Sequence, residues 1–473
     1  MRRTRTRTAR TLAVGAVAAL ALSLGAPPTT AAPHGPHGPH GPGPRDGDEP
    51  LRGYTISNPT VDPLRVDGRR TRVEQGTRAH AGYVIEVPPD WNGELVMWAH
   101  GYRGTGTELT VDPPGFGLRR TFARQGYAWA ASSYARNDYD VATGVTTTRD
   151  LARYAGRVLG RSPERTYLAG VSMGGHVIGR SLEEYPAAYD GALPMCGVLG
   201  DQELFDYFLD YNLVAQTLAD REVYPAPADY LTDDVPVIQR RLRIAGLAPG
   251  EDPGNARGRQ LRAVTTERSG GPRPGSDPAF AVWKDFLFTL YSADDGGRLA
   301  RNAGRLATNV GTDYTPDAPV DLDALVRRVA PTDPRSRRTD RLIAVPRIDG
   351  EPRVPVLTLH GLGDLFVPFS MEQVYAREVA ASGRSELLVQ RAVRAAGHCE
   401  FTPGEARTAW RDLTAWVESG GSGPYSDRPA GDDVLAPSTV ASPTYGCRFT
   451  DPRGYDAPER FATRALYAPC PAG

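Results

Sequence analysis

Three residues far apart along the chain, Ser172, Asp364 and His398, have the side-chain types needed to turn a hydroxyl into a nucleophile. Ser172 is the centre of Gly170, Val171, Ser172, Met173 and Gly174, a G-x-S-x-G spacing. An apolar run at 166–171 precedes it, and helical spacing through Val177, Ile178 and Leu182 follows as far as Pro186. That pattern predicts a strand, a tight turn and a helix, with the serine hydroxyl projecting from a strained backbone position. Glycine at 170 and 174 removes side chains that would collide where strand and helix cross. A serine hydroxyl is a poor nucleophile until a base takes its proton and an acid orients that base. Asp364 follows one late apolar strand and His398 follows the next. The carboxyl ends of parallel strands are where such groups collect. The chemistry expected is attack on a carbonyl carbon. Asp201, after an earlier strand, is an alternative acid. Among the other histidines, His176 should face along the helix after Ser172 in a structural role, while His100 should shape its own loop by a hydrogen bond.

These residues need a scaffold. Apolar strands are predicted at 81–87, 94–99, 127–132, 166–171, 192–196, 354–359 and 386–392. Helical spacing is predicted ending at 122–125 and over 148–159, 370–381 and 403–417. The alternation points to an α/β fold with a mostly parallel sheet and helices on both faces. Between 201 and 350 the rhythm breaks. Helical, aromatic-rich stretches at 203–218 and 281–291, separated by proline-rich and charged loops, suggest a helical cap insertion. Phe205, Tyr207, Phe208 and Tyr211, with Trp283, Phe286, Phe288 and Tyr291, can either line a pocket or pack the cap on its core.

The chain therefore divides into a signal peptide (1–31), a Gly/Pro/His-rich linker (32–53), a first core part (54–200), a cap (201–350), a second core part (351–420) and a tail (421–473). The leader reading rests on Arg2, Arg3, Arg5, Arg7 and Arg10, an apolar run at 12–24, and small residues near Ala31. It predicts a secreted, extracellular protein without a membrane anchor. His34, His37 and His40 sit among Pro and Gly, which prevent a fixed ligand geometry, so this stretch reads as a flexible spacer. Removing 1–31 takes away five arginines and no acidic residue, moving the formal charge from -1 to -6. An acidic chain of this kind is not expected to bind nucleic acid. No metal-ligand spacing, phosphate loop or dinucleotide fingerprint occurs, so neither a metal nor a cofactor is expected.

Taken together, His100, Gly101 and Tyr102 after a strand, Gly170 to Gly174, Asp364 within HGLGDLFVP and His398 within GHCEF resemble the α/β-hydrolase superfamily, in particular its secreted bacterial esterases and lipases. The resemblance implies that Ser172 attacks, His398 moves the proton and Asp364 holds the imidazole. It further implies that the backbone N–H groups of Met173 and Tyr102 form the oxyanion hole. The reaction expected is hydrolysis of a carboxylic ester, small-molecule or polymer-derived, through an acyl-enzyme, with amide or peptide cleavage on the same scaffold as the alternative. A binding protein that merely keeps the fold is a third possibility.

Four cysteines in a secreted chain suggest two disulfides, with three possible pairings. The expected pairs are Cys196 with Cys399 and Cys447 with Cys470, because Cys399 adjoins the base and Cys196 ends the strand lying between those that lead to Ser172 and Asp364. A cysteine next to the histidine is also similar to secreted feruloyl esterases and tannases. Those carry the partner cysteine directly before the serine, where this chain has Val171, so their substrates are not implied.

Overall fold

The computed structural model describes residues 47–470 apart from 58–59, 292–302, 338–340, 420–426 and 458. The expected leader and most of the linker lie outside the described residues. Eight strands form the main sheet: β1 (Arg72–Arg78), β2 (Ala81–Val87), β3 (Glu94–Ala99), β4 (Ala128–Ser132), β5 (Arg165–Val171), β6 (Gly191–Met195), β7 (Val356–Gly361) and β8 (Leu388–Val393). Their order across the sheet is β1-β2-β4-β3-β5-β6-β7-β8. The first two pairings are antiparallel and the remaining five parallel.

Among the described residues nine longer helices accompany the strands: α1 (Leu118–Arg124), α2 (Val141–Leu159), α3 (Met173–Glu184), α4 (Glu203–Leu218), α5 (Val235–Leu242), α6 (Ala256–Arg268), α7 (Ser276–Phe288), α8 (Ser370–Ala381) and α9 (Pro403–Glu418). Strand residues divide between two apolar clusters with the period of two that a pleated strand imposes. Leu95, Met97 and Ala99 belong to one, Val96 and Trp98 to the other. The second cluster takes in Phe122 of α1 and Trp410, Leu413 and Trp416 of α9, and the first takes in α2, α3, α4 and α8. Burial on both faces explains why the central strands read as unbroken apolar runs.

Several boundaries differ from the sequence expectation. α2 begins at Val141 rather than 148, because Asp140 caps it by accepting from the Thr143 N–H at 3.0 Å. β1 was not expected at all. It is charged, RVEQGTR, and pairs with β2 alone, so no apolar alternation marks it. Between β6 and β7 the chain forms α4 to α7, of which α5 and α6 were also not expected.

Candidate active site

The turn after β5 is built by close approach. Ser172 has φ 56° and ψ −123°, a conformation that a non-glycine residue adopts only when its surroundings enforce it. The Ser172 N–H donates to the Met195 carbonyl of β6 at 3.2 Å, and the Ser172 carbonyl accepts from Gly175 at 2.8 Å and Val198 at 3.1 Å. A Cβ at Gly170 would lie 2.4 Å from the Ala99 carbonyl oxygen, and one at Gly174 would lie 2.2 Å from it. The obstacle is thus the end of β3, not the helix that follows the serine.

A chain of hydrogen bonds runs inward from the hydroxyl. Ser172 Oγ is 2.9 Å from His398 Nε2, and His398 Nδ1 is 2.6 Å from Asp364 Oδ2. Asp364 is completely buried, and its other oxygen accepts from the N–H groups of Phe366 at 3.0 Å and Val367 at 3.1 Å. With Oδ1 so occupied, Oδ2 is left for Nδ1–H, and that tautomer leaves the Nε2 lone pair to accept from Ser172. The ring of Phe366 stands edge-on to His398 with centroids 4.9 Å apart.

The loop after β3 supports the other side. A Cβ at Gly101 would lie 3.0 Å from Ser172 Cβ, so this loop runs directly against the serine and carries Tyr102 next to it. Met173 is the first residue of α3, where backbone N–H groups lack intrahelical acceptors and the helix dipole favours negative charge. His100 is buried, stacks on Tyr134 with centroids 3.9 Å apart and donates from Nδ1 to the Gly101 carbonyl at 2.6 Å. Burial, aided by the nearby Arg103 charge, pushes it down to about 3, so it is neutral and suited to shaping a loop.

No family model matches the chain. The o-phthalyl amidase of Xanthobacter agilis is 24% identical over 439 residues, covering 80% of this chain and 93% of that protein. Among solved structures, feruloyl esterase B from Aspergillus oryzae is similar at 13% identity with a TM-score of 0.40, covering 76% of this chain and 82% of the other. Candida antarctica lipase A in its closed state is similar at 12% identity and a TM-score of 0.39, with 79% and 84% covered. The sheet order, the sharp serine turn after β5 and the acid and histidine after β7 and β8 decide the architecture. This is the α/β-hydrolase fold.

The hydrolase fold accounts for the remaining expected residues. Asp201 is not the hydrogen-bond partner of His398, whose Nδ1 meets Asp364. It accepts from the Ile348 and Gln202 N–H groups, and burial raises it to about 6. His176 donates from Nε2 to the Pro346 carbonyl at 2.7 Å and accepts from Tyr139 at 3.0 Å, tying α3 to the segment before β7. The disulfides join Cys196 to Cys399 and Cys447 to Cys470. Val171 pairs with Met195, so Cys196 directly follows β6 as Ser172 directly follows β5, and Cys399 joins it from the histidine loop. Most of the aromatic residues of α4 and α7 are buried in packing, while Phe286 of α7 and Tyr291 beyond its end are half-buried. The sequence does not mark the contacts that hold the histidine loop from outside. Trp283 Nε1 donates to the Ala396 carbonyl at 2.7 Å, and Thr463 Oγ1 accepts from the Ala396 and Gly397 N–H groups at 2.8 and 3.0 Å. No local motif marks such contacts.

Proposed function

We propose that the chain is a secreted serine hydrolase that cleaves carboxylic esters through an acyl-enzyme on Ser172. The observation that carries this reading is the continuous hydrogen-bonded path from Asp364 through His398 to Ser172. Ser172 Oγ attacks the carbonyl carbon while its proton passes to His398 Nε2, and the imidazolium is balanced by Asp364. The oxyanion is held by the N–H groups of Met173 and Tyr102, each such donor being worth about 3 kcal/mol of barrier. As the tetrahedral species collapses, the bond to the leaving oxygen breaks and His398 returns the proton to it. Water activated by the same imidazole then attacks the acyl group and frees Ser172. Secretion is supported by two disulfides, which persist in oxidising compartments.

A second reading, amide cleavage, is favoured by the likeness to o-phthalyl amidase. The same steps apply, with the proton from His398 delivered to a leaving nitrogen. A panel of p-nitrophenyl esters of short, long and aromatic acids, run beside the matching anilides and phthalyl amides, separates the two. Ester turnover that falls by roughly 10⁴-fold or more in Ser172→Ala is expected. Turnover of amides alone would replace the esterase reading, and equal turnover by both proteins would remove Ser172 from the mechanism.

A further inference from the structure

The disulfide that follows β6 lies against the base of the triad. Cys399 Sγ is 3.4 Å from His398 Nε2. The ligand atoms of Cys196, His398 and Cys399 lie within 4.8 Å of one another, the one such trio of histidine, cysteine or acidic groups among the described residues. Around a tetrahedral zinc ion, with bonds of about 2.3 Å to sulfur and about 2.0 Å to nitrogen, a sulfur and a nitrogen stand about 3.6 Å apart and two sulfurs about 3.8 Å. The sulfur-to-nitrogen spacing is thus already in place, and only the two sulfurs have to part. His398 is also prepared as a ligand. Its Nδ1–H is held by Asp364 at 2.6 Å, which leaves the Nε2 lone pair facing Ser172 Oγ at 2.9 Å. A histidine whose other nitrogen donates to a carboxylate is the arrangement that fixes the tautomer and raises the basicity of a metal ligand. Both cysteines have backbone anchors besides the disulfide. The Cys196 N–H donates to the Leu359 carbonyl at 2.7 Å, and Trp283 and Thr463 hold the loop before Cys399. Their Cα atoms, 5.3 Å apart, therefore stay close when the sulfurs separate.

We propose that reduction of the Cys196–Cys399 bond turns this centre into a zinc site, with Cys196, Cys399 and His398 Nε2 as ligands and water in the fourth position, and that the bound ion silences the enzyme. The silencing rests on the hydrolase reading above; the binding rests on the geometry alone. Cys196 is completely buried and Cys399 half-buried, so a dithiol attacks from the Cys399 side. Its thiolate bonds to Cys399 Sγ, the Cys196–Cys399 bond breaks and Cys196 leaves as a thiolate. The second sulfur of the dithiol then closes on the first, releasing Cys399. The protein gains two electrons and the dithiol, now a cyclic disulfide, loses two. Zinc takes both sulfurs as thiolates, and any proton they carry passes to solvent. Soft sulfur ligands suit this ion, and two thiolate charges balance its own, so no net charge is buried. The ion occupies the Nε2 lone pair that otherwise accepts the Ser172 proton, which makes zinc binding and catalysis mutually exclusive.

The test is equilibrium dialysis against zinc, with p-nitrophenyl ester turnover measured on the same samples. The untagged full chain carries Cys447→Ala and Cys470→Ala, so that a single disulfide remains. It is compared oxidised and after reduction by dithiothreitol, which is then removed without air. The oxidised sample measures whatever the His34, His37 and His40 stretch binds. The reduced protein should bind one zinc ion per chain beyond that level, losing turnover as it does so and regaining it with a chelator. In the reduced state Cys196→Ser should abolish the additional binding, and Asp364→Asn should weaken it roughly 10- to 100-fold through the orientation of His398. No additional zinc on reduction overturns the inference, and so does an Asp364→Asn protein that binds as tightly as its parent. Zinc bound without loss of turnover, or a reduced zinc-free protein that is already inactive, overturns the silencing. Should reduction unfold the chain, circular dichroism decides: zinc should restore the fold in the parent but not in Cys196→Ser, and failure to restore it overturns the site. An oxidised protein without turnover sinks the hydrolase reading, while dialysis still decides the zinc site.

Discussion

Hydrogen-bond accounting at single residues separates the groups of the site more sharply than residue type does. Asp364 and Asp201 are both buried acids after parallel strands, yet the former directs one oxygen to His398 and the latter spends both on backbone N–H groups. Their difference was open in the sequence because it depends on what lies opposite each carboxylate. The buried histidines divide in the same way. His100 and His176 have every incentive to stay neutral, burial pushing them down to about 3 and about 4. A group whose folded pKa lies below its unfolded value near 6.5 takes up its proton on unfolding. Its contribution to stability is therefore complete above pH 6.5 and is lost as pH falls from there toward its folded pKa. His360 acts in the opposite sense: burial lowers it, but the Glu372 hydrogen bond and charge, together with the Asp364 charge and the Val367 carbonyl, raise it on balance, so its contribution is present at low pH and fades at high pH. Urea unfolding at pH 7, 6 and 5 should thus show a loss of stability toward acid. His176→Gln, which keeps a donor for Pro346 and an acceptor for Tyr139, should flatten that slope by about 1.4 kcal/mol per pH unit. An unchanged slope would mean that His176 is protonated in the fold.

At the level of elements, the serine turn shows how strand, turn and helix are fixed by contact with a third element. The G-x-S-x-G spacing made β5, the turn and α3 legible, since the glycines, the apolar run and the helical period are all local. The identity of the clashing partner was not local: it is the Ala99 carbonyl at the end of β3. The same distinction separates what was legible in the rest of the fold from what was not. Strands buried on both faces and α9, with Pro403 at its start and a capping box between Thr402 and Glu405, stand out as apolar runs or capped helical periods. β1 is half-exposed and charged, and α6 is polar on most of its surface, so both owe their conformation to neighbours distant in sequence. Gly174→Ala should therefore cost about 3 kcal/mol in urea unfolding and abolish ester turnover, because a backbone oxygen cannot move aside as a side chain can. Gly106→Ala is the control, a position with open space around its Cβ and no left-handed φ, and it should leave both quantities unchanged. Retained turnover in Gly174→Ala would show that β3 can withdraw from the turn.

Across the whole described molecule, the two loops that meet at Ser172 are held from parts of the chain outside the main sheet. The chain between β6 and β7 supplies Arg273 to the acid turn and Trp283 to the histidine loop. The segment after α9 supplies Thr450 to the Arg394 N–H, Thr463 to Ala396 and Gly397, and Tyr467 to the Ala395 carbonyl at 3.0 Å. Arg394 answers by donating to the carbonyls of Tyr445 and Ala468, so residues 394–397 are satisfied largely by the tail. Buried backbone groups deprived of such partners cost about 1–3 kcal/mol each. From sequence the tail reads as a Pro, Gly and Ser-rich appendage closed by a disulfide, since none of these contacts has a periodic signature. Two changes distinguish an appendage from a structural part of the site. Replacing Cys447 and Cys470 together by alanine removes a short loop closure and should lower stability by about 3 kcal/mol while leaving turnover at 25 °C near that of the parent, because the hydrogen bonds to 394–397 remain. Ending the chain after Glu418 removes those bonds altogether and should abolish turnover even where circular dichroism still reports a folded sheet. Full activity in the truncated protein would mean that β8 and the Cys196–Cys399 link alone hold His398 against Ser172.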